Sequence, residues 1–301
     1  RCAGRVELLH VMANSGWAWH LHTAPAVWIA PLRGTPVIVN YRGGGAGAFL
    51  RAQAAWVRPT LRLANCVAVP SGFLHNVFAR YGIRTEIVPN IVDLARFHPA
   101  ARMPGAARGG PHFIVTRNLE PLYDIGTALE AFAILRRELP QARLTVAGSG
   151  PELASLQRRC KELGIEDAVR FSGRLDPDAM AALYREADVM LNPSRVDNMP
   201  NALLEAFASG VPVVSTDVGG IPYFAEDGKT ALLVPPGDPR AMADAALRLV
   251  RDPLLAAALR AHALWAASAY AWPSVQARLF EIYANAALGR AQKRASHAPA
   301  P

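Results

Sequence analysis

Hydrophobic positions along the chain fall into short β-branched runs separated by longer stretches of helical periodicity. Runs at 6–12, 36–41, 66–70 and 85–89 read as strands; after a break so do 112–116, 142–147, 168–172, 188–192, 211–215 and 231–234. Between them, apolar residues recur at helical spacing over 125–138, 152–163, 178–187 and 201–208, the pattern of helices that bury one face. Repeated strand–helix–strand units predict parallel, doubly wound sheets. The break, "FHPAARMPGAARGGPHF", is rich in Pro, Gly and Ala and reads as an interdomain linker. The polar end, "GRAQKRASHAPAP", reads as a disordered tail. The expectation is an α/β chain with a first domain at 1–98, a linker at 99–111, a second domain at 112–268, a helix at 269–290 and a tail at 291–301. Two doubly wound domains place a ligand in the cleft between them, at the carboxyl ends of the strands.

Composition narrows the class. The chain has 301 residues, 51% of them hydrophobic, which is enough for two packed cores. No apolar run reaches the ~18 residues of a membrane span; "TAPAVWIAPLRG" is interrupted by Pro25, Pro31 and Arg33. Cys2, Cys66 and Cys160 are odd in number and far apart, which points to reduced thiols in a cytoplasmic protein rather than a disulfide framework or metal cluster. Arg1 in place of a starting Met points to a fragment or a processed form. The net charge is +8, and the first hundred residues hold +7 of it, with ten arginines, no lysine and three acids. Such a field suits a phosphate-bearing substrate or an acidic membrane surface, and equally the ordinary solubility charge of an Arg-rich composition. From Phe49 to Leu63 a helix is expected at least as far as Pro59. It sets Arg51, Arg58 and Arg62 on one face, with Trp56 and Val57 beside it, as a stripe for lipid or as a solvated face.

Candidate chemistry concentrates in the second half. In "TVAGSGPEL", Gly148 and Gly150 stand at a strand-to-helix turn, where backbone N–H groups can approach a phosphate or where a tight turn is simply needed; Pro151 suits the first helical position. Leu153 occupies the place of the third glycine of a dinucleotide fingerprint, which argues against a nicotinamide or flavin enzyme. Arg117 follows the first strand of the second block and can hold phosphate oxygens or be a plain surface arginine. The Asp-x-Asp of "GRLDPDAM" reads as helix capping by Asp176, with Pro177 and Asp178 in the first turn, rather than as a metal site. In "SRVDNMPNALLEAFASGVPVVSTDVGG", a loop carrying Asp197 precedes a helix from about 201. The first amides of that helix, at Asn201 and Ala202, face an incoming anion. Glu205 lies one turn further, among Ala202, Leu204 and Ala206. A carboxylate there needs donors, which the vicinal hydroxyls of a ribose supply; an exposed Glu on an amphipathic helix is the alternative. A hydroxyl acceptor, a phosphate cradle and a second hydroxyl acceptor outline a nucleoside diphosphate sugar site.

The landmarks "AGSGPE" (147–152), "VRFSGRL" (169–175), "ADVMLNPS" (187–194), "NALLEAFASGVPVVSTDVGGIP" (201–222) and "GKTALLVPPGDPRAMADAALRLVRDP" (228–253) resemble the nucleotide-sugar half of retaining glycosyltransferases with the GT-B fold. The likeness is to the large family four, the group 1 glycosyl transferases. "CVAVPSGFLHNVFARYG" and "TEIVPNIVDLARFHP" resemble the end of that family's acceptor domain, and "AYAWPSVQARLFEIY" its C-terminal helix that crosses back onto the first domain. The resemblance implies two Rossmann-like domains facing across a cleft, the first lacking its start. It also implies two glutamates separated by seven residues, of which Glu205 matches the ribose ligand and Asp197 stands where the first, which touches the donor sugar, is expected. Asp197 is one methylene shorter than the family's glutamate. The family's arginine for the diphosphate is matched by Arg117, but its companion lysine is replaced near Tyr123, between Leu122 and Asp124, a deficit of one positive charge. The glycine-rich opening loop of the first domain is absent. A histidine often found after the strand at 36–41 is replaced by Arg42, followed by Gly43, Gly44 and Gly45; Arg42 there either serves the diphosphate or lies in an ordinary turn.

The implied reaction is transfer of a sugar from a nucleoside diphosphate sugar to a hydroxyl of a carbohydrate or lipid-linked acceptor. The anomeric configuration is retained, with no metal and no cofactor beyond the donor, in polysaccharide or glycolipid assembly. No nucleic-acid partner is expected. The implied location is the cytoplasm, with a peripheral contact at the inner face of an anionic membrane. The rival readings are a sugar-nucleotide epimerase or phosphorylase of similar fold, though nothing marks a pyridoxal lysine, and a truncated or non-catalytic sugar-nucleotide-binding protein.

Overall fold

The structure, a computed structural model, describes residues 6–100 and 109–295, with 289–295 as backbone only. The described elements run β1 (Leu9–Ala13), a π-helical turn (Trp19–Thr23), α1 (Ala24–Leu32), β2 (Val37–Tyr41), α2 (Ala46–Arg62), β3 (Cys66–Val69), α3 (Gly72–Ala79) and β4 (Glu86–Ile87). They continue with β5 (His112–Val115), α4 (Ile125–Glu138), β6 (Arg143–Ala147), α5 (Leu153–Leu163), β7 (Val169–Gly173), α6 (Pro177–Glu186), β8 (Val189–Asn192), α7 (Asn201–Ala208), β9 (Val213–Thr216), β10 (Leu232–Val234), α8 (Pro239–Arg251), α9 (Pro253–Ser268) and α10 (Trp272–Ala295). Each expected strand is present, and four expected helices match α4, α5, α6 and α7 to within two residues.

The chain divides into two compact units, 1–90 with 273–301, and 91–272. The first holds a four-stranded parallel sheet in the order β1-β2-β3-β4. One face packs Val37, Val39, Val67 and Val69 against Leu50, Leu61, Leu74 and Phe78 of α2 and α3; the other sets Ile38 and Ala68 against Val275, Ile282 and Ala286 of α10. The boundary at 90 falls before the Pro/Gly-rich stretch. Residues 91–98 belong to the second unit, where Val92 bridges Ala271 and Phe97 stacks edge-on against Tyr184. Residues 101–108 of the expected linker and 296–301 of the expected tail lie outside the described residues, while 291–295 continue α10.

The second unit holds a six-stranded parallel sheet in the order β10-β9-β8-β5-β6-β7. Every residue of β5, β8 and β9 is buried, as strands covered on both faces require. The chain winds outward from β5 through β6 to β7, then returns to lay β8 on the other side of β5. The order therefore reverses between β5 and β8. In doubly wound sheets such a reversal is the place where ligands bind, at the carboxyl ends of the two strands.

Several local expectations change. Helix α2 passes through Pro59 to Arg62; Trp56 is 79% exposed, but Val57 is buried and Arg58 half-buried, so Val57 is no part of a lipid-facing stripe. Pro151 lies in a turn before α5, which begins at Leu153. Asp176 caps α6 by accepting from the amides of Asp178 and Ala179 at 3.0 and 2.8 Å. Cys66 and Cys160 are free thiols, each pushed up to about 11 by burial; Cys2 lies outside the described residues. Among the described residues, no helix is long and apolar enough to cross a membrane.

Candidate active site

The loop after β5 carries Arg117, and glycines hold it in place. A Cβ on Gly148 would stand 2.0 Å from the Arg117 carbonyl oxygen, and one on Gly150 would stand 2.3 Å from that of Leu119. Leu119 N–H donates to Ser149 O at 3.0 Å, and Glu152 N–H to Leu119 O at 3.1 Å. The glycines of "AGSGPE" thus let two loops lie backbone to backbone. Gly148 N–H is already engaged by Gly173 O at 2.9 Å, so it is not a free phosphate donor.

The loop after β8 carries Asp197 and is backed in the same way. A Cβ on Gly219, whose φ is +58°, would meet Asp197 O at 2.0 Å, and Gly220 N–H donates to that oxygen at 3.1 Å. The two loops meet in an ion pair: Arg117 Nη2 donates to Asp197 Oδ2 at 2.6 Å, and each side chain is only 10% exposed. The Tyr123 ring lies under the guanidinium, its centre 4.0 Å from the guanidinium carbon, and holds Arg117 by its π face. Arg195 adds two outer ties, N–H to Leu122 O at 2.9 Å and Nε to Asp124 Oδ2 at 2.8 Å. Arg117 Nε is buried and meets no acceptor among the described residues, which leaves one guanidinium donor unsatisfied beside the ion pair.

Helix α7 begins between these loops. Its N-cap is Pro200, which offers no side-chain cap, and its first turn holds no acid, so the amides at Asn201 and Ala202 are left for another acceptor. One turn on, Glu205 reaches Tyr184, a fully buried residue of α6. The Tyr184 hydroxyl has Ala202 O at 2.9 Å, Glu205 Oε2 at 3.2 Å and Thr116 Oγ1 at 2.7 Å. The carbonyl and the ionised carboxylate only accept, so the single phenol proton is shared between them and Thr116 donates to the phenol. Sequence reasoning missed Tyr184 and Thr116. The available signal was a Tyr on the apolar face of a helix, since a buried phenol needs a partner for its tip.

Burial raises both acids. The Asp197 carboxyl lies above its usual range because desolvation outweighs the opposing pull of Arg117, Asn198 N–H and Ser194. Glu205 is raised by burial against weaker help from Tyr184 and Arg117. Burial also raises the Tyr123 and Tyr184 phenols. The site therefore joins one arginine, two carboxyls raised by burial and a helix end without a side-chain cap at the switch point of the sheet. Arg42, the remaining sequence candidate, lies in the first unit at the end of β2, bonded to the side chains of Asn40 and Asn90.

A family model described as glycosyl transferases group 1 matches residues 110–252, which span the β5, β8 and α7 constellation. A D-inositol 3-phosphate glycosyltransferase of Frankia alni is 31% identical over 273 residues, covering 86% of this chain and 67% of that protein. A glycogen synthase of Mycobacterium tuberculosis is 30% identical over 283 residues, covering 89% and 67%. A GDP-mannose-dependent mannosyltransferase of Mycolicibacterium smegmatis is 34% identical over 211 residues, covering 65% and 55%. The chain thus spans between about half and two thirds of these relatives' lengths. Among solved structures, a sucrose-phosphate synthase of Thermosynechococcus elongatus superposes with a TM-score of 0.74 at 24% identity, over 91% of this chain and 72% of that one. HepE of Anabaena, in complex with UDP-glucose, gives 0.76 at 20% identity over 91% and 78%. The two parallel-sheet domains are those of the GT-B fold. By its matched domain and its relatives, the chain belongs to the group 1 glycosyl transferases.

Proposed function

We propose that the second unit binds a nucleoside diphosphate sugar at the β5/β8 switch point, and that the protein moves the sugar to an acceptor hydroxyl with retention of anomeric configuration. The observation that carries this reading is the pairing of Arg117 with Asp197 beside the uncapped start of α7, with Glu205 held one turn behind. The amides at Asn201 and Ala202 and the unpaired Nε of Arg117 take the diphosphate. Glu205 accepts from the ribose hydroxyls, and Asp197 from a hydroxyl of the donor sugar. Donor binding shifts Arg117 from a private pair with Asp197 to one shared with the phosphate.

In the transition state, negative charge grows on the departing diphosphate. Arg117 and the helix-end amides are already aimed at it and need no reorganisation. The leaving phosphate oxygen takes the acceptor's proton on the face from which it departs, so no metal or separate base enters the scheme. Support for a nucleotide donor comes from HepE, described with UDP-glucose, and from the GDP-mannose-dependent relative. The acceptor class we assign is a carbohydrate or lipid-linked hydroxyl in polysaccharide or glycolipid assembly, at the cytoplasmic side of a membrane. Calorimetric titration with UDP, GDP and ADP tests the donor site. Micromolar to millimolar binding of one of them, weakened in Glu205→Gln and Arg117→Lys, supports the reading; no binding of any of the three contradicts it.

A further inference from the structure

The carboxyl edge of the first sheet gathers a second polar cluster. Arg42 N–H donates to Ala13 O at 3.0 Å, which lays the turn after β2 against the end of β1. The Ser15 and Tyr41 hydroxyls meet, and a Cβ on Gly43 would lie 2.2 Å from Asn14 Oδ1. The turn continues through Gly44 and Gly45 into α2, whose N-cap Gly45 offers no side-chain acceptor. The guanidinium of Arg42 donates through Nε to Asn40 Oδ1 at 3.2 Å and through Nη1 to Asn90 Oδ1.

The charge of Arg42 is what distinguishes this cluster. Both of its acceptors are neutral amides. The side chain is half-buried, and burial lowers its pKa. Residues 8–85 contain no Asp or Glu at all. Partly desolvated charges are normally paired, as Arg117 is with Asp197. Asn40 and Asn90 use two of the five guanidinium N–H groups and fix the direction of the planar fork, leaving it a rigid, uncompensated donor set. Oxyanions are the ligands that such a fork matches in charge and geometry.

We propose that Arg42, aimed by Asn40 and Asn90 beside the Gly43–Gly45 turn, binds an oxyanion, a phosphate or carboxylate, carried by the acceptor. The anion site stands on the first unit alone, and only the word acceptor rests on the transfer reading. The rival source of the same chemistry is the diphosphate of the donor. The test uses the full chain and inorganic phosphate as probe, followed by ³¹P line broadening, with and without saturating UDP. Wild type, Arg42→Gln, Arg42→Lys, Asn90→Ala and Arg240→Gln, an exposed arginine of α8 outside both clusters, are compared after melting curves confirm that each is folded. The expected result is phosphate binding in the presence of UDP that falls about tenfold or more in Arg42→Gln, less in Arg42→Lys and Asn90→Ala, and stays unchanged in Arg240→Gln. A wild type that binds phosphate through Arg42 but no nucleoside diphosphate contradicts the donor reading and leaves this site standing. Phosphate binding equal in wild type and Arg42→Gln overturns the proposal. So does an Arg42→Gln that weakens UDP instead, which assigns the arginine to the donor.

Discussion

Replacing Glu205 by Gln separates the site's function from its stability. The carboxylate sits in an apolar helix turn, with the shared Tyr184 proton as its nearest donor. In the proposed donor complex it accepts from two ribose hydroxyls. Gln keeps the shape and one acceptor oxygen but presents an amide N–H₂ to the second hydroxyl and carries no charge. The loss is one charge-assisted hydrogen bond, about 1.5–3 kcal/mol, or roughly 10- to 150-fold in Kd. The unliganded protein responds in the opposite sense. Burial raises the Glu205 carboxyl, so the folded state holds its proton more tightly than the unfolded chain. That contribution to stability is fully present below the ordinary carboxylate range and is lost as pH rises through the raised value. Glu205→Gln cannot undergo the loss, so its melting temperature relative to wild type should rise as pH climbs from acid towards neutral. Calorimetric titration with the preferred nucleoside diphosphate, and melting curves across that pH window, read both effects. Unchanged nucleotide affinity in a folded Glu205→Gln refutes the ribose role. A melting difference that shrinks with rising pH refutes the electrostatic account.

Arg117→Ala should lower turnover about 10²–10³-fold, as for loss of one preorganised donor, and should destabilise the fold by about 3–5 kcal/mol because Asp197 is left buried and unpaired. The double variant Arg117→Met with Asp197→Asn should recover stability in urea melts without recovering turnover, and recovery of both would remove the pair from the chemistry. Gly150→Ala forces a Cβ against Leu119 O and should destabilise by about 1–3 kcal/mol while weakening nucleotide binding; a melting curve like wild type would show that the loops can part freely. On α2, Arg51 and Arg62 are exposed with Trp56, and near an anionic bilayer each charge is worth about 1 kcal/mol. The triple variant Arg51→Gln, Arg62→Gln, Trp56→Ala should therefore sediment less with anionic liposomes than wild type does, and equal sedimentation would return the face to solvent.

The strands were legible because β-branched runs buried on both faces leave little else to be: "HFIV", "VMLN" and "VVST" lie within a residue or two of their expected places. That Glu205 needs a polar partner was legible because a carboxylate in an apolar helix demands a reason. The pairing of Arg117 with Asp197, and of Tyr184 with Glu205, was not. Each joins residues on separate elements, and which strand returns beside β5 is a matter of topology that periodicity does not carry. The glycines of "AGSGPE" read equally well as phosphate contacts or a turn; only the Arg117 carbonyl lying 2.0 Å from a Gly148 Cβ reveals backbone packing. Val57 was misplaced because a helix face is assigned from spacing, whereas its neighbours decide which side is covered.

The most direct measurement is the stereochemistry of transfer. The full-length protein is incubated with anomerically ¹³C-labelled UDP- and GDP-sugars and a panel of carbohydrate and lipid-linked acceptors, and the anomeric coupling of the product is followed by NMR. The account predicts release of nucleoside diphosphate with a product that keeps the donor's anomeric configuration, abolished in Arg117→Ala. An inverted product, or turnover independent of Arg117 and Glu205, would contradict it.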